Sequence, residues 1–480
     1  MDKPDQHEIY LSYYGDDFTG STDVMESLTL NGLPAALFLQ PPGINEINNF
    51  RFKNSSFPAE TRLRAFGVAG VSRSMTPDQM NEELPHIFKK ISKIRSRFFH
   101  YKVCSTFDSS PEIGNIGHAI DLALKYFPSQ YVPLIVGAPD LNRFCVFGNL
   151  FARVDTTTYR LDRHPTMSKH PITPMNESDL RLHLKNQTNR DVHLLDILTI
   201  EDGDDEIEKI LQQTKDNLSA PFLLIDIINK EHLVKAGKVM LLHSNAENQL
   251  LVGSSGVENA LTAYLQDTKV LSRFDLNVSV GQASKMLVMA GSCSPITHKQ
   301  IDWAINAGFE RIRIDSEKLV DPDTREQEIL RVVLTATQLL HHKHVVVFTA
   351  LGPEDEAIAK THTKLKALTG NSCFPADYLA KIQGQILYRI LEEHSDARVT
   401  VAGGDTSGHV AKALGIYALE VLTPIAPGAP LCIAHSKNKK FDGLEIALKG
   451  GQCGDENYFE SIYMGTNQRL TIDPVLLSIQ

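Results

Sequence analysis

Residues 9–39 read IYLSYYGDDFTGSTDVMESLTLNGLPAALFL, and their pattern decides the fold. Ile9–Tyr14 is apolar and aromatic, the composition of a strand. The loop Gly15-Asp16-Asp17-Phe18-Thr19-Gly20-Ser21 follows. Asp23–Leu30 then places Val24, Leu28 and Leu30 at helical spacing. Asn31-Gly32 stops that helix, because glycine adopts the left-handed backbone at no steric cost. Ala36–Leu39 is the next strand. A strand–loop–helix–strand unit is the building block of a parallel α/β sheet.

The unit recurs along the chain. Strands are expected at Arg64–Val71, Phe98–Val103 and Pro133–Gly137, with helices at Pro77–Lys93 and Gly114–Tyr126. Residues 155–190 lack periodicity, which at that length marks a functional loop more often than a connector. Alternation resumes at His193–Ile200 and Pro221–Ile227, and Val252–Gly256 leads into a helix over Val257–Gln266. Residues 267–284 are polar and weakly periodic and read as a domain boundary. A second series opens at the strand Lys285–Ala290. Helix Thr297–Asn306, strand Arg311–Asp315, helix Thr324–Leu340, strand His344–Thr349, helix Ala376–Glu393, strand Arg398–Val401 and helix His409–Leu414 continue it. Strands at Ala418–Leu422, Leu431–His435 and Glu445–Lys449 close it. The expectation is α/β: two α/β domains, residues 1–268 and 285–480, with mainly parallel sheets and an interdomain cleft.

Composition narrows the function. Of 480 residues, 42% are hydrophobic and 22% charged, so the chain is not disordered. The net charge of −10 gives no positive field for general binding of nucleic acid or an anionic membrane. An anionic ligand must therefore be held locally, by loop amides, helix starts or a metal. No apolar run of about 18 residues spans a membrane. The N-terminus lacks the basic-then-apolar order of a secretory signal. None of the six cysteines forms a CxxC pair, so free thiols in a reducing, cytoplasmic setting are expected. The partner is a small molecule, neither nucleic acid nor membrane, and homo-oligomer formation stays open.

Chemistry in parallel sheets sits beyond the carboxyl ends of strands. In the first such loop, Asp16 and Asp17 hold a metal or accept a proton, or else are solvated acids in a capped turn; Thr19 and Ser21 are candidate caps. Ala402-Gly403-Gly404-Asp405-Thr406-Ser407-Gly408 lets backbone amides approach a phosphate, with Asp405 available to a metal; the alternative is a structural turn. It is neither a Walker A loop nor GxGxxG. Gly291-Ser292-Cys293-Ser294-Pro295-Ile296-Thr297 suits a phosphate or simple capping. Lys449-Gly450-Gly451-Gln452-Cys453-Gly454 pairs a cation with flexible backbone. Pro424–Pro430 reads as a stiff turn shaping a wall. Lys102–Ser110, with Ser105 and Thr106, is an alternative hydroxyl-rich site or an ST-turn. Arg163, His164, Lys169 and His170 suit a carboxylate or phosphate, or form a solvated basic loop. His341–His344 answers a helix dipole rather than a metal. Cys104 and Cys293 have no local histidine partner, and Trp303 is expected to pack on its helix.

Asp16-Asp17-Phe18-Thr19-Gly20, Gly403-Gly404-Asp405-Thr406-Ser407-Gly408, Ala426-Pro427-Gly428-Ala429-Pro430 and Lys449-Gly450-Gly451-Gln452-Cys453-Gly454-Asp455 resemble, in order, the motifs of the four-carbon acid sugar kinases. Gly253-Ser254-Ser255-Gly256 and Gly291-Ser292 also fit, and the resemblance spans roughly residues 9–465. It implies an N-terminal acid-sugar domain, a C-terminal ATP domain and phosphorylation of the 4-hydroxyl of a tetronate or oxo-tetronate. By position, Ser292, Gly403, Gly404, Asp405, Thr406 and Gly451 meet ATP, and Asp16, Asp17 and Thr19 face the acceptor. The segment Lys102–Ser109 departs from the family pattern Lys-x-Asp-Ser-Thr-x-Arg-Gly, with Cys104 for Asp and Asp108 for Arg. Lys102, Arg143, Arg163 and His170 are the candidates to replace that arginine on a substrate carboxylate.

The expected enzyme is an ATP- and Mg2+-dependent kinase. Amides of Gly403, Gly404, Ser407 and Gly408, with Lys449, Gly450 and Gly451, hold phosphates, and Asp405 shares Mg2+ with them. Asp17 accepts the acceptor proton and Asp16 orients it or binds metal, an order that is open to reversal. Closure about a hinge at 267–284 would exclude water. The competing readings are a sugar-acid isomerase, aldolase or dehydrogenase, and a ligand sensor without chemistry.

Overall fold

The computed structural model describes residues 9–170, 172–215, 220–242, 247–274, 276, 279–369 and 377–466. Cys373 and the expected helix start at Ala376 lie outside the described residues, as do positions 275, 277 and 278 of the expected boundary. The chain divides into two compact units, Met1–Arg51 with Ala59–Phe274 and Phe52–Pro58 with Asp275–Gln480. Residues 52–58 thus pack with the second unit, where the backbone of Lys53 and Asn54 donates to the buried Glu420 carboxylate.

The first unit contains strands β1 Ile9–Gly15, β2 Ala35–Phe38, β3 Ala65–Ala69, β4 Ser96–Lys102, β5 Val132–Ile135, β6 Arg143–Val146, β7 Asn149–Val154, β8 Thr157–Arg160, β9 Val192–Leu195, β10 Phe222–Ile225 and β11 Gln249–Gly253. Its sheet runs β2-β3-β1-β4-β11-β5-β10-β9, and all these pairings are parallel. Every residue of β1 is buried, as a central parallel strand covered on both faces requires. Gly67 exists because a Cβ there would meet the Tyr13 ring at 1.9 Å.

Chain order reverses across β1: β2 and β3 lie on one side and β4 on the other. The loops after β1 and β4 therefore diverge, the place where sheets of this kind bind ligands. Register levels those ends, pairing Gly15 with Ala69 and Lys102, and Lys102 with Gly253.

The helix after β1 spans Phe18–Leu30, starting earlier than Asp23, because Asp17 caps it. Strands β6, β7 and β8 form a separate antiparallel meander. The stretch 155–190 is therefore not one loop: it holds β8 and the helix Leu180–Lys185. Short, polar strands such as Thr157–Arg160 leave no apolar alternation to read.

The second unit contains β12 Met286–Ala290, β13 Glu310–Arg313, β14 Val345–Phe348, β15 Arg398–Ala402, β16 Ile416–Ala426, β17 Ala429–Ser436 and β18 Glu445–Lys449. The order is β13-β14-β12-β15-β18-β17-β16, parallel except where β17 meets its two neighbours. Ala290, Ala402 and Lys449 end level with one another, so three loops emerge together.

Three readings need correction here. The helix expected at His409 begins at Gly404, so the glycine loop is itself the first helical turn. Pro424–Pro430 is a hairpin rather than a stiff turn: Pro424 lies inside β16 and Pro430 inside β17. Register shifts between Val421 and Ala426 accommodate the proline, which cannot donate to a ladder. Trp303 is 41% exposed, its indole N–H donating to Glu460, so it does not pack as expected.

Candidate functional site

The acidic strand end of the first unit is closed by an arginine that sequence reading missed. Arg73 follows β3 in the turn Ser72–Ser74. It forks onto Asp16, with Nη2 2.8 Å from Oδ1 and Nε 3.3 Å from Oδ2, and Nη1 lies 2.9 Å from Asp17 Oδ2. The Arg73 amide also donates to the Asp16 carbonyl, fixing the two loops together. Asp17 Oδ1 accepts from the Gly20 amide at 2.7 Å, so Asp17, not Thr19 or Ser21, is the cap. Asp16 is buried. Burial pushes its carboxyl up to about 6 against the pull of Arg73, with Asp17 adding to the rise. Thr19 is half-buried in the first helical turn. A cation at the end of the strand beside β1 was the available signal for Arg73.

Lys102 ends β4 and is buried; its ammonium donates to the Val103 carbonyl at 3.3 Å and lies 3.8 Å from Asp23. Burial opposes its charge, yet Asp23, then Glu258 and Asp17, hold its pKa above the usual lysine value. Glu258 is fully buried with neither carboxyl oxygen hydrogen-bonded, 3.7 Å from His100 Nδ1. Burial raises Glu258 to about 8 and lowers His100 to about 3. The Cys104 thiol contacts Thr106 Oγ1 at 3.0 Å, and burial pushes it up to about 11, so it stays protonated. Ser105 is half-buried and Thr106 buried.

Arg143 lies within electrostatic reach of Cys104 and Asp108, which brings it to this cluster. Arg163 and His170 do not join it: among the described residues, Arg163 is 76% exposed and 4.0 Å from Asp162, and His170 bonds Thr173.

The second unit contains a cavity of about 510 Å³, the size of a small-molecule site. Gly291, Ser292, Gly403, Gly404, Asp405, Thr406 and Gly451 form one side, and Ile358, Leu379 and Ala380 contribute apolar surface. The glycines are required by close approach. A Cβ on Gly451 would lie 2.2 Å from Ser292 Oγ, and one on Gly291 would lie 2.1 Å from Thr406 Oγ1. Gly404 faces open space, where a side chain would occupy the cradle. The helix Gly404–Ala413 begins at this rim, directing N–H groups and the positive end of its dipole there. Gln383 is buried, its Oε1 accepting from Thr406 while its Nε2 has no partner.

The third loop both caps a helix and ties down the fourth. Ser294 Oγ accepts from the Thr297 amide at 3.1 Å, and Ser294 and Thr297 hydroxyls donate to the Gly451 carbonyl. Lys449 is fully buried beneath this junction, 3.5 Å from Thr297 Oγ1 and from Gly451 O, and burial lowers it to about 8. It does not line the cavity as a phosphate cation, and neither do Gly450, Ser407 and Gly408. An apolar wall facing glycine amides fits a nucleotide. Among the described residues no three His, Cys, Asp or Glu side chains gather as a metal site. A nucleotide-bound cation would therefore rely on phosphate oxygens and the exposed Asp405.

One unit presents a charged strand end, the other a glycine-lined cavity of small-molecule size; the chain is a two-domain α/β protein. Residues 11–261 match the sugar-binding N-terminal domain model, and residues 287–459 match the nucleotide-binding C-terminal domain model. The chain is 40% identical to a 3-oxo-isoapionate kinase of Paraburkholderia graminis, over 95% of this chain and 94% of that one. It is 25% identical to a 3-oxo-tetronate kinase of Pectobacterium atrosepticum, over 94% and 98% of the two chains. In fold it matches a Haemophilus influenzae crystal structure with a TM-score of 0.68 and 21% identity, over 94% and 98% of the two chains. The chain belongs to the four-carbon acid sugar kinase family and is an ATP-dependent carbohydrate kinase. No helix among the described residues is long and apolar enough to cross a membrane.

Proposed function

We propose that this kinase transfers the γ-phosphoryl group of ATP to a hydroxyl of a 3-oxo sugar acid, of the kind named for its 40%-identical relative. The observation that carries the acceptor assignment is the Asp16–Asp17–Arg73 clamp at the strand ends of the sugar-binding unit. Asp17 is the proton acceptor: its side chain is 27% exposed, against 4% for Asp16. Asp16 anchors Arg73, and Arg73 orients the Asp17 carboxylate. Phosphoryl transfer asks for positioning and charge stabilisation more than for a strong base, so a carboxylate suffices.

The nucleotide base occupies the apolar side of the second unit's cavity. Its phosphates would lie against Gly403, Gly404 and Gly451, which line that cavity with Asp405, the residue that would hold Mg2+ together with them. When bound, Mg2+ would supply neutralisation of the charge that develops on the transferring phosphoryl group. Lys449 supports the Gly451 turn from below. ADP release, measured with ATP and Mg2+ against tetronates, 3-oxo-tetronates and branched 3-oxo acids, tests this reading. Turnover on a 3-oxo acid is expected. ATP binding without turnover on any member would remove the acceptor class, and absence of ATP binding would remove the nucleotide assignment.

A further inference from the structure

The first unit holds polar groups that the proposed transfer step leaves unused. Asp108 Oδ1 and Arg143 Nε are both buried without a hydrogen-bond partner. A buried, unmatched carboxylate oxygen and guanidinium N–H are each unfavourable. The two groups share one electrostatic neighbourhood around Cys104, yet no ion pair joins them among the described residues. Arg143 Nη1 instead donates to the carbonyls of Leu141 at 3.0 Å and Asn142 at 3.2 Å, which fixes the guanidinium. His164 lies within electrostatic reach of Arg143. Its Nδ1 accepts from the Thr166 and Met167 amides at 3.2 Å, so its proton is on Nε2 as a second donor. Asp108 is set by a left-handed residue, Phe107 at φ 56, held by its amide on the Cys104 carbonyl at 3.0 Å.

The other cations near the strand ends are committed. Arg73 serves two carboxylates, and Lys102 lies 3.8 Å from Asp23. We propose that Arg143, whose buried Nε has no partner, receives the carboxylate of the sugar acid, and that Asp108, whose buried Oδ1 has none, accepts a hydrogen bond from one of its hydroxyls. This rests on the reading of the first unit as the acceptor site. It makes these residues specificity-determining: they read an acid group and a hydroxyl on one small molecule.

The test compares wild type, Arg143→Gln, Arg143→Lys and Asp108→Asn, as full chains, on a sugar acid and on its neutral primary amide. A charged hydrogen bond removed from a closed site corresponds to a change of about 10- to 150-fold. Arg143→Gln is expected to raise KM for the acid by that factor, to leave KM for ATP unchanged, and to erase the preference for acid over amide. Arg143→Lys is expected to restore part of that preference, and Asp108→Asn to raise KM for acid and amide alike. An acid KM within twofold of wild type in Arg143→Gln, or equal losses on acid and amide, overturns the assignment. Calorimetric binding of 3-oxo-tetronate and of erythronate, without ATP, separates the two readings. A wild type that binds the acid through Arg143 without releasing ADP overturns the kinase reading only. A wild type that releases ADP regardless of Arg143 overturns the carboxylate site only.

Discussion

Replacing Arg73 with alanine tests the clamp at the acidic strand end. The substitution leaves Asp16, whose side chain is 4% exposed, facing Asp17 with no counter-charge from Arg73. Breaking a buried ion pair by removing one partner costs about 3–5 kcal/mol. Arg73 itself is 26% exposed, which argues for the lower end, about 3 kcal/mol. The Asp17 arm, a quarter exposed on both sides, adds less than about 1 kcal/mol. The penalty depends on pH in a defined direction. Asp16 sits at about 6 in the folded protein, above an unfolded aspartate at about 3.9. Its burial is therefore harmless below the unfolded value and drains stability as pH rises through the folded one. Without Arg73 the folded value moves higher, so more is drained at neutral pH. The variant should lose about 3 kcal/mol relative to wild type at pH 8 and under about 1 kcal/mol at pH 5, where Asp16 is largely protonated in both. Urea unfolding at both pH values measures the loss, and hydrogen exchange of the peptide 9–20 locates it. Equal losses at the two pH values, or no loss at pH 8, would refute the buried-pair reasoning.

Asp17→Asn should lower kcat by about 10²–10⁴-fold with little change in KM for ATP, and an unchanged kcat removes Asp17 as proton acceptor. Gly451→Ala places a methyl 2.2 Å from Ser292 Oγ; overpacking of about 1–3 kcal/mol should raise KM for ATP about tenfold and leave acid-sugar binding intact. Lys449→Met should raise Tm at pH 7. The folded lysine sits at about 8, below its unfolded value, so its charge is destabilising at pH 7, by about 3 kcal/mol, and the gain should shrink to under about 1 kcal/mol by pH 10, as pH nears the unfolded value. Asp405→Asn should increase the Mg2+ concentration needed for half-maximal ADP release about tenfold, and an unchanged requirement would place the metal on phosphates alone.

Much of this architecture is legible in the sequence because buried parallel strands are written as apolar runs between turn residues. IYLSYYG and KMLVMA are read directly, since the sheet covers both their faces. Helix starts are less legible, because the first turn carries polar groups that bind something other than the core. Asp17 and Gly404 therefore open their helices before apolar periodicity begins. The Pro424–Pro430 hairpin was hidden by prolines that the bulged register tolerates. At the sites, glycines and adjacent carboxylates stand out by type, but side-chain direction does not. Lys449 occupies a loop that supports the cavity, yet its ammonium points beneath the Gly451 carbonyl. Arg73 lies far from Asp16 along the chain, and only the β1–β3 register brings their loops together. Of the cations weighed for a carboxylate, Lys102, Arg143, Arg163 and His170 are equivalent as letters. Burial and partners are what separate them.

The charge arrangement also explains how an acidic chain holds two anionic substrates. The overall −10 repels both ATP and a sugar acid, so each needs a local positive site. On the proposed reading, the second unit would meet the need with almost no formal charge: glycine amides and a helix start would carry it, and its nearby lysine is buried. Amides of that kind stay oriented when the phosphate leaves, which suits a ligand that must be released as ADP. The first unit has a harder task, since a proton-accepting carboxylate must stand near an anionic acceptor. Arg73 would resolve it by compensating Asp16 and Asp17. On the proposed assignment, the carboxylate of the acceptor would then meet Arg143 rather than the acidic pair. Removal of Arg73 should accordingly weaken acid binding as well as turnover, whereas removal of Arg143 should weaken acid binding and leave kcat nearly unchanged. That split in KM against kcat separates a residue that permits the site's charge from one that reads the substrate.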